Sequence, residues 1–592
     1  MLMLNVFMLG KLGFMTKHIC HISRLATSFR SMALLVVMLG VCWFNAGSQV
    51  IINGVRAFAD DGSNLLLYSL PQSAFGSDFS AQVQVDTASH WRNISVAGQP
   101  LTSNPITFGD VNGDKVYIVR AMDNGNQVVK RLMFTFLPII SIDGDMGYDF
   151  VDTHVTLMDP DGTTDEAMRA QVKWRGGYTN TDGRHKRNYS IKFVDENGEK
   201  QNRRLLGLRR DNHWKLDAGQ VDLSRVRNRF ATDLWLDMAR EPYYFDQAPD
   251  VLLGARGKMV EVFAGGRYMG IYSLIESIDR KQMQVRKYDE ETHQIHGMIW
   301  NAAVWSRVAE FKQYVNYNNN SPNYDTFVVE YPDFEDVHPT HHEDLYNAVK
   351  FVANSNVSSY NSHAHEYFDM PVLIDYAILI QFLISVDNGV NNIFWAIYDR
   401  EVDKRLTLAA WDLDWSLGTN RDSLDFRGGR AEPDHDFKFS SKEFNMFKDP
   451  QCIYHADMIE RYWQLRKTWL SEKSLINRLN ALVTPLVESG AVAREEARWS
   501  GDSDINGLPL DIVGEKEYII NWIRRRLSHL DRTLMRHPCD VNSDGGVTVY
   551  DIVQLQSFLL EGGLYDSKLD VNGDGSITSS DLTMLYDYLL GY

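Results

Sequence analysis

The sequence predicts an α+β protein built from several units. Three observations carry this. The chain has 592 residues, and one compact core holds about 100–200. Short strand-like runs dominate residues 60–280, whereas residues 454–535 read as helices. A short acidic module closes the chain at 540–592. Hydrophobic residues at 44% and charged residues at 23% exclude a disordered, collagen-like, coiled-coil or polytopic membrane chain. The net charge of -18 excludes a general nucleic-acid binder, which needs a basic surface. Four cysteines are too few for a disulfide-built scaffold.

Residues 1–59 read as a signal peptide, with an uncleaved anchor as the alternative. Lys17, Arg24 and Arg30 precede an apolar run from Met32 to Phe44. Ala57-Phe58-Ala59 has the small-x-small form of a cleavage site. The run is shorter than the roughly 20 residues of a membrane span, so no span is expected in the mature chain. Met15 or Met32 is the expected start. Cleavage would remove Cys20 and Cys42 and leave Cys452 and Cys539, which an oxidising compartment would allow to pair.

Residues 60–135 read as a small β unit. Within it, Asp110-Val-Asn-Gly-Asp114 resembles half a calcium loop but lacks an acidic twelfth residue, so a tight turn is expected. Residues 136–536 form the main domain, in which 281–365 are polar and read as an insertion. Ser224–Met238 reads as a helix, and Val260–Leu274 as a hairpin about Gly265-Gly266. His338, His341, His342, Glu343, His363 and His365 read as a solvated loop, because no His-Glu-x-x-His helix is present.

The closing module carries the most specific pattern. Asp540, Asn542, Asp544, Gly545, Thr548 and Asp551 stand at positions 1, 3, 5, 6, 9 and 12 of one loop. Asp570, Asn572, Asp574, Gly575, Thr578 and Asp581 repeat this 30 residues later. Calcium takes six to eight oxygens, and this spacing wraps carboxylates about one ion with glycine making the turn. An apolar helix follows each loop, and aspartate replaces the usual glutamate at position 12. Duplicated units of this form resemble a type I dockerin, an all-α calcium-binding module. That resemblance implies a cohesin-type partner met through Val549-Tyr550 and Ser579-Ser580, and the two faces differ in character.

In the main domain, an apolar helix delivers Asp387. Asp387-Asn-Gly-Val-Asn-Asn392 follows, then two strands ending at Trp411-Asp412-Leu-Asp414. Helix, Asp-x4-Asn, hairpin and Asp is the order of a kinase catalytic centre, where carboxylate and amide oxygens hold magnesium on phosphates. Asp-x4-Asn alone is weak. Further segments stand in order around it: Trp174-Arg175-Gly-Gly177, Lys186–Phe193, Leu205–Leu208 with Trp214, Asp222–Asn228, and Val260–Glu276. Arg498-Trp499 and Trp522–Arg526 come later.

Residues from about 135 to 535 thereby resemble the CotH kinase family. The resemblance implies an atypical, two-lobed, protein-kinase-like domain using ATP with Mg2+ or Mn2+. It casts Lys192 as the phosphate-contacting lysine, Glu276 as its partner and Arg175 as a phosphate contact or fold anchor. Asp387 becomes the catalytic aspartate, with a metal-associated role as the alternative. Asn392, Asp412 and Asp414 become metal residues, Asp414 with a structural role as the alternative. Arg227 is assigned to the fold. The chain departs from ordinary kinases: no Gly-x-Gly-x-x-Gly precedes Lys192, Ser385-Val386 precedes Asp387, and Phe-Gly does not follow Asp412. The expected function is a secreted or cell-surface kinase acting on Ser/Thr of a protein acceptor and held by its dockerin. A non-catalytic adhesion or scaffold component is the alternative. A polysaccharide-degrading enzyme is a third reading, for which no acid–base carboxylate pair is identifiable.

Overall fold

A computed structural model describes residues 50–86, 89–162, 164–181, 183–419, 430–435, 437–502 and 509–590. The apolar leader with Cys20 and Cys42 lies outside the described residues. Among the described residues, no helix is long and apolar enough to cross a membrane.

Alternating apolar residues build the first β unit. A six-stranded sheet runs Phe58–Ala59, Leu65–Ser69, Asn126–Thr135, Tyr117–Asp123, Trp91–Val96 and Gln99–Pro100 in spatial order. Asn124 and Gly125, both at positive φ, close its central hairpin, as a tight two-residue turn requires. The expected cleavage point at 57–59 sits inside this unit. Val50–Ile52 pairs with Val83–Val85, and Val50, Ile52 and Ala57 are fully buried. Cleavage after Ala59 would strip a strand from the core, so the folded unit begins before residue 59. Asp110–Asp114 forms a turn with a packing role: a Cβ on Gly113 would lie 2.2 Å from the Ser489 carbonyl carbon.

Next comes a closed seven-stranded barrel. Its order is Ile139–Ile142, Val151–Met158, Thr164–Arg175, Asn188–Phe193, His213–Asp217, Arg267–Ile275 and Gly257–Ala264. Val172, Ile191, Trp214, Val262 and Leu274 fill its interior. Side chains alternate along a strand, so the intervening residues point outward. The register sets Lys173 beside Ser190 and Ser190 beside Lys215 on one outer face, with Lys192 beside His213.

The helical body packs against that face. Its core helix, Met370–Leu383, is apolar nearly all round and almost wholly buried, as such a helix must be. Residues 281–365, read from their polar composition as an insertion, supply strands to the body's sheet. Met298–Ala302 and Phe327–Tyr331 are strands of a five-stranded sheet that also holds Ile393–Ile397 and Thr407–Ala410. His342 opens the helix His342–Asn354 and is fully buried, accepting from Trp300 Nε1 at 3.4 Å. His342 is therefore a packed helix start, whereas His338, His363 and His365 are exposed, as a solvated face should be. Buried ion pairs tie body to barrel: Arg494 is bidentate to Glu261, both contacts at 2.8 Å, and Glu495 joins Lys186 and Arg225 at 2.6 and 2.7 Å.

The closing module is two helices, Val549–Glu561 and Ser579–Leu590, over a small core of Val541, Leu555, Val571 and Leu585. Cys539 sits in that core while Cys452 precedes the helix Ile453–Arg466 in the body. Both are buried and free, so the pairing that an oxidising compartment would allow is not made.

Candidate functional site

The core helix ends where Ile384 turns left-handed at φ +51°. The reversed chain presents Asp387, whose carboxylate is held by Trp305, Asn391 and Asn392. Trp305 Nε1 donates to Oδ1 at 2.8 Å, Asn391 Nδ2 to Oδ1 at 3.2 Å and Asn392 Nδ2 to Oδ2 at 2.8 Å. Asn388 Nδ2 donates to the Trp411 carbonyl at 2.7 Å, tying this loop to the next carboxylates. Asn392 and Asp412 both stand at positive φ, +58° and +56°. Such strain in two non-glycine residues persists where the surroundings enforce it, and it gathers at functional sites.

Asp412 follows the strand Thr407–Ala410. Asn228, at the start of the helix Arg227–Met238, donates to Asp217 Oδ2 at 2.8 Å and to Asp412 Oδ1 at 3.5 Å. Its own Oδ1 accepts the Leu413 N–H at 3.0 Å. Asp217 comes from the barrel, so the acidic cluster spans barrel and body. Burial, then the Asp217 charge, push Asp412 up to about 7. Burial, then Asp412 and Asp217, hold Asp414 well above the usual carboxylate range. Below the loop, Arg227 donates to the Ser416 and Leu417 carbonyls and pairs with Asp222 and Glu515. It is 1% exposed, which fits an anchor of the fold.

The barrel supplies the opposite charge. Arg175 lies over the Trp411 ring at 5.6 Å and Lys215 over the same ring at 4.8 Å. Lys215 donates to Ser277 Oγ at 2.9 Å. Burial, then Arg175, push Lys215 down to about 7. Asp217, Asn228, Ser273 and Asp412 line a small cavity, where buried Ser273 Oγ has no hydrogen-bond partner.

The structure thus gathers Arg175, Asp387, Asn392, Asp412 and Asp414. Lys192 lies apart, its ammonium over the Phe150 ring at 4.6 Å beside that of Lys173. Burial, then Lys173, lower its pKa. Glu276 does not meet it. Ile275 shares the Lys215 face, so the next residue points the other way; Glu276 pairs with Arg256 at 2.8 Å. Sequence reasoning missed Lys215, Asp217 and Trp305. The alternation His213-Trp-Lys-Leu-Asp217, charged outward and apolar inward, was the available signal for the first two.

The two terminal loops are near copies. Asp540 accepts the Asp544 and Gly545 N–H groups, each at 3.1 Å, and Asp570 accepts those of Asp574 and Gly575 at 3.1 and 2.8 Å. Asp551 accepts from Asn542 and Thr548, and Asp581 from Asn572 and Thr578. Gly545 and Gly575 take φ +93° and +86°, which a side chain would resist. Burial, then the Asp551 charge among its neighbours, raise the Asp540 pKa. The donor set suits a hard cation, which would relieve that repulsion. Among the described residues, no three carboxylate, imidazole or thiol groups stand ready as a formed metal cluster.

Residues 172–530 match the family described as CotH kinase protein. The chain belongs to the CotH kinase protein family. Residues 538–590 match the type I dockerin domain, and dockerin domains bind calcium. A search of curated proteins finds no match. The CotH match covers the basic barrel face and the acidic cluster together, and the dockerin match covers both loops.

Proposed function

We propose that this CotH protein is an atypical protein kinase that moves the ATP γ-phosphate to Ser or Thr of an extracytoplasmic protein. One observation carries the reading: Arg175 and Lys215 of the barrel share the Trp411 ring beside Asp412, where the Asp387, Asp412 and Asp414 carboxylates of the body gather with Asp217 of the barrel. A triphosphate needs cationic donors on one side and metal-holding oxygens on the other. In this reading barrel and body are the two lobes.

Arg175 and Lys215 bind phosphate oxygens, and the phosphate charge returns Lys215 to its ammonium form. Asp412, Asp414 and Asn392 would hold magnesium or manganese, which neutralises phosphate charge. Asp387 orients the acceptor hydroxyl and takes its proton as the new O–P bond forms and the bond to ADP breaks. Lys192 and Glu276 are left outside this set. The dockerin, loaded with calcium, tethers the enzyme to a cohesin-type partner, which places it outside the cytoplasm.

The test is transfer of label from γ-labelled ATP with magnesium or manganese. Label on protein with the wild type, and none with Asp387→Ala or Asp412→Ala, is the expected result. No transfer together with no ATP binding would leave a docked binding protein instead.

A further inference from the structure

We infer that Trp305 is a positioning residue for Asp387, an inference that rests on the phosphotransfer reading above. The strand Met298–Ala302 pairs with Ile393–Ile397 so that Ala302 lies opposite Ile393. The Asn392 N–H donates to the Ala302 carbonyl at 2.9 Å. The chain leaving Ala302 therefore passes directly beside the Asp387–Asn392 loop.

That exit is fixed on both sides of Trp305. Ala303 N donates to the Thr326 carbonyl at 3.3 Å, and Ser306 Oγ meets Thr326 Oγ1 at 3.0 Å and also bonds Asp325. The indole ring packs on the body's core while its Nε1–H reaches Asp387 Oδ1 at 2.8 Å. An indole N–H only donates, and its partner here is an anion, so the bond is charge-assisted and directional. Asn391 Nδ2 donates to the same oxygen at 3.2 Å. Two donors on Oδ1 stop the carboxylate from rotating about its Cβ–Cγ bond. Oδ2 is thereby turned to Asn392, the residue proposed for the metal. The buried Oδ1 of Asn391 has no hydrogen-bond partner, so its amide is oriented by Asp387 alone among the described groups.

Trp305 sits in the stretch expected to be an insertion, about 80 residues before its partner. Val304 beside it is exposed.

Two measurements on the full chain test this. In protein labelled with 15N at the tryptophan indoles, the resonance lost in Trp305→Phe should move in Asp387→Asn. In the transfer assay, Trp305→Phe should lower kcat about tenfold or more with the ATP KM within threefold. A purely structural role would lower stability without separating kcat from the ATP KM. An indole resonance indifferent to Asp387→Asn, or an unchanged kcat in Trp305→Phe, overturns the inference. If the wild type transfers no label, the kinase reading fails by itself, and the indole response still decides whether Trp305 holds Asp387.

Discussion

Lys192 and Lys215 stand on adjacent strands of one barrel face, yet only Lys215 shares Trp411 with Arg175. Lys215 is therefore the lysine placed to bind phosphate in the proposed reaction. Lys215→Ala should weaken MgATP binding about tenfold to a hundredfold in calorimetry, as expected for a lost charged hydrogen bond. Lys192→Ala should change it less than about threefold. Glu443 offers an independent test of burial. It accepts from Tyr360 at 2.5 Å, its other oxygen has no partner, and desolvation raises it to about 8. Neighbouring Lys442 is turned to the Ala353 and Ser355 carbonyls. The folded state therefore keeps a proton that the unfolded chain releases near 4.5. Stability should be full below that pH and fall as pH rises toward 8, by up to about 1.4 kcal/mol per unit. Glu443→Gln should flatten this slope in denaturant titrations.

Two elements position the acidic cluster, and they differ in how legible they were. Asp-x4-Asn and the hairpin to Asp412 lie within one stretch of sequence, so their order could be read directly. The barrel could not be read as closed. Its seam joins Ile139–Ile142 in parallel to Gly257–Ala264, a pairing set by distant chain rather than local pattern. The polar composition of 281–365 hid the apolar run Met298–Ala302 that enters the sheet. Lys192 and Glu276 do not meet because a strand separates theirs in the barrel and Glu276, just past Ile275, turns to Arg256. The helix Ile512–Arg532 brings Glu515 to Arg227 beneath the Asp412–Leu417 loop. Removing one partner of a buried pair strands the other charge, so Arg227→Ala should cost about 3–5 kcal/mol by chemical denaturation. Gly113→Ala should lower the melting temperature, because its Cβ would collide with backbone at Ser489–Gly490.

At the scale of the whole molecule, the same helix that supports the cleft ends against the dockerin. Arg532 Nε donates to the Asp544 carbonyl at 3.1 Å and Arg536 to the Asp540 carbonyl at 2.5 Å. The His537 and Tyr588 rings lie 4.1 Å apart. The first calcium loop is thus joined to the body by more than its linker. Chelation should unfold the dockerin and lower the body's melting temperature by about 2–4 °C in calorimetry. Arg532→Ala should shrink that second effect while leaving calcium binding by the second loop intact. The dockerin was legible in the sequence because each of its repeated patterns lies within twelve residues. Its attachment to the body was not, because it rests on backbone carbonyls.

The measurement that tests the central claim most directly is a crystal structure of the chain with Mn2+ and a non-hydrolysable ATP analogue. The expected result is anomalous density beside Asp412 and phosphate oxygens within hydrogen-bond reach of Arg175 and Lys215. Phosphates seated instead on Lys173 and Lys192 beside Phe150, or an empty cleft at saturating nucleotide, would contradict it.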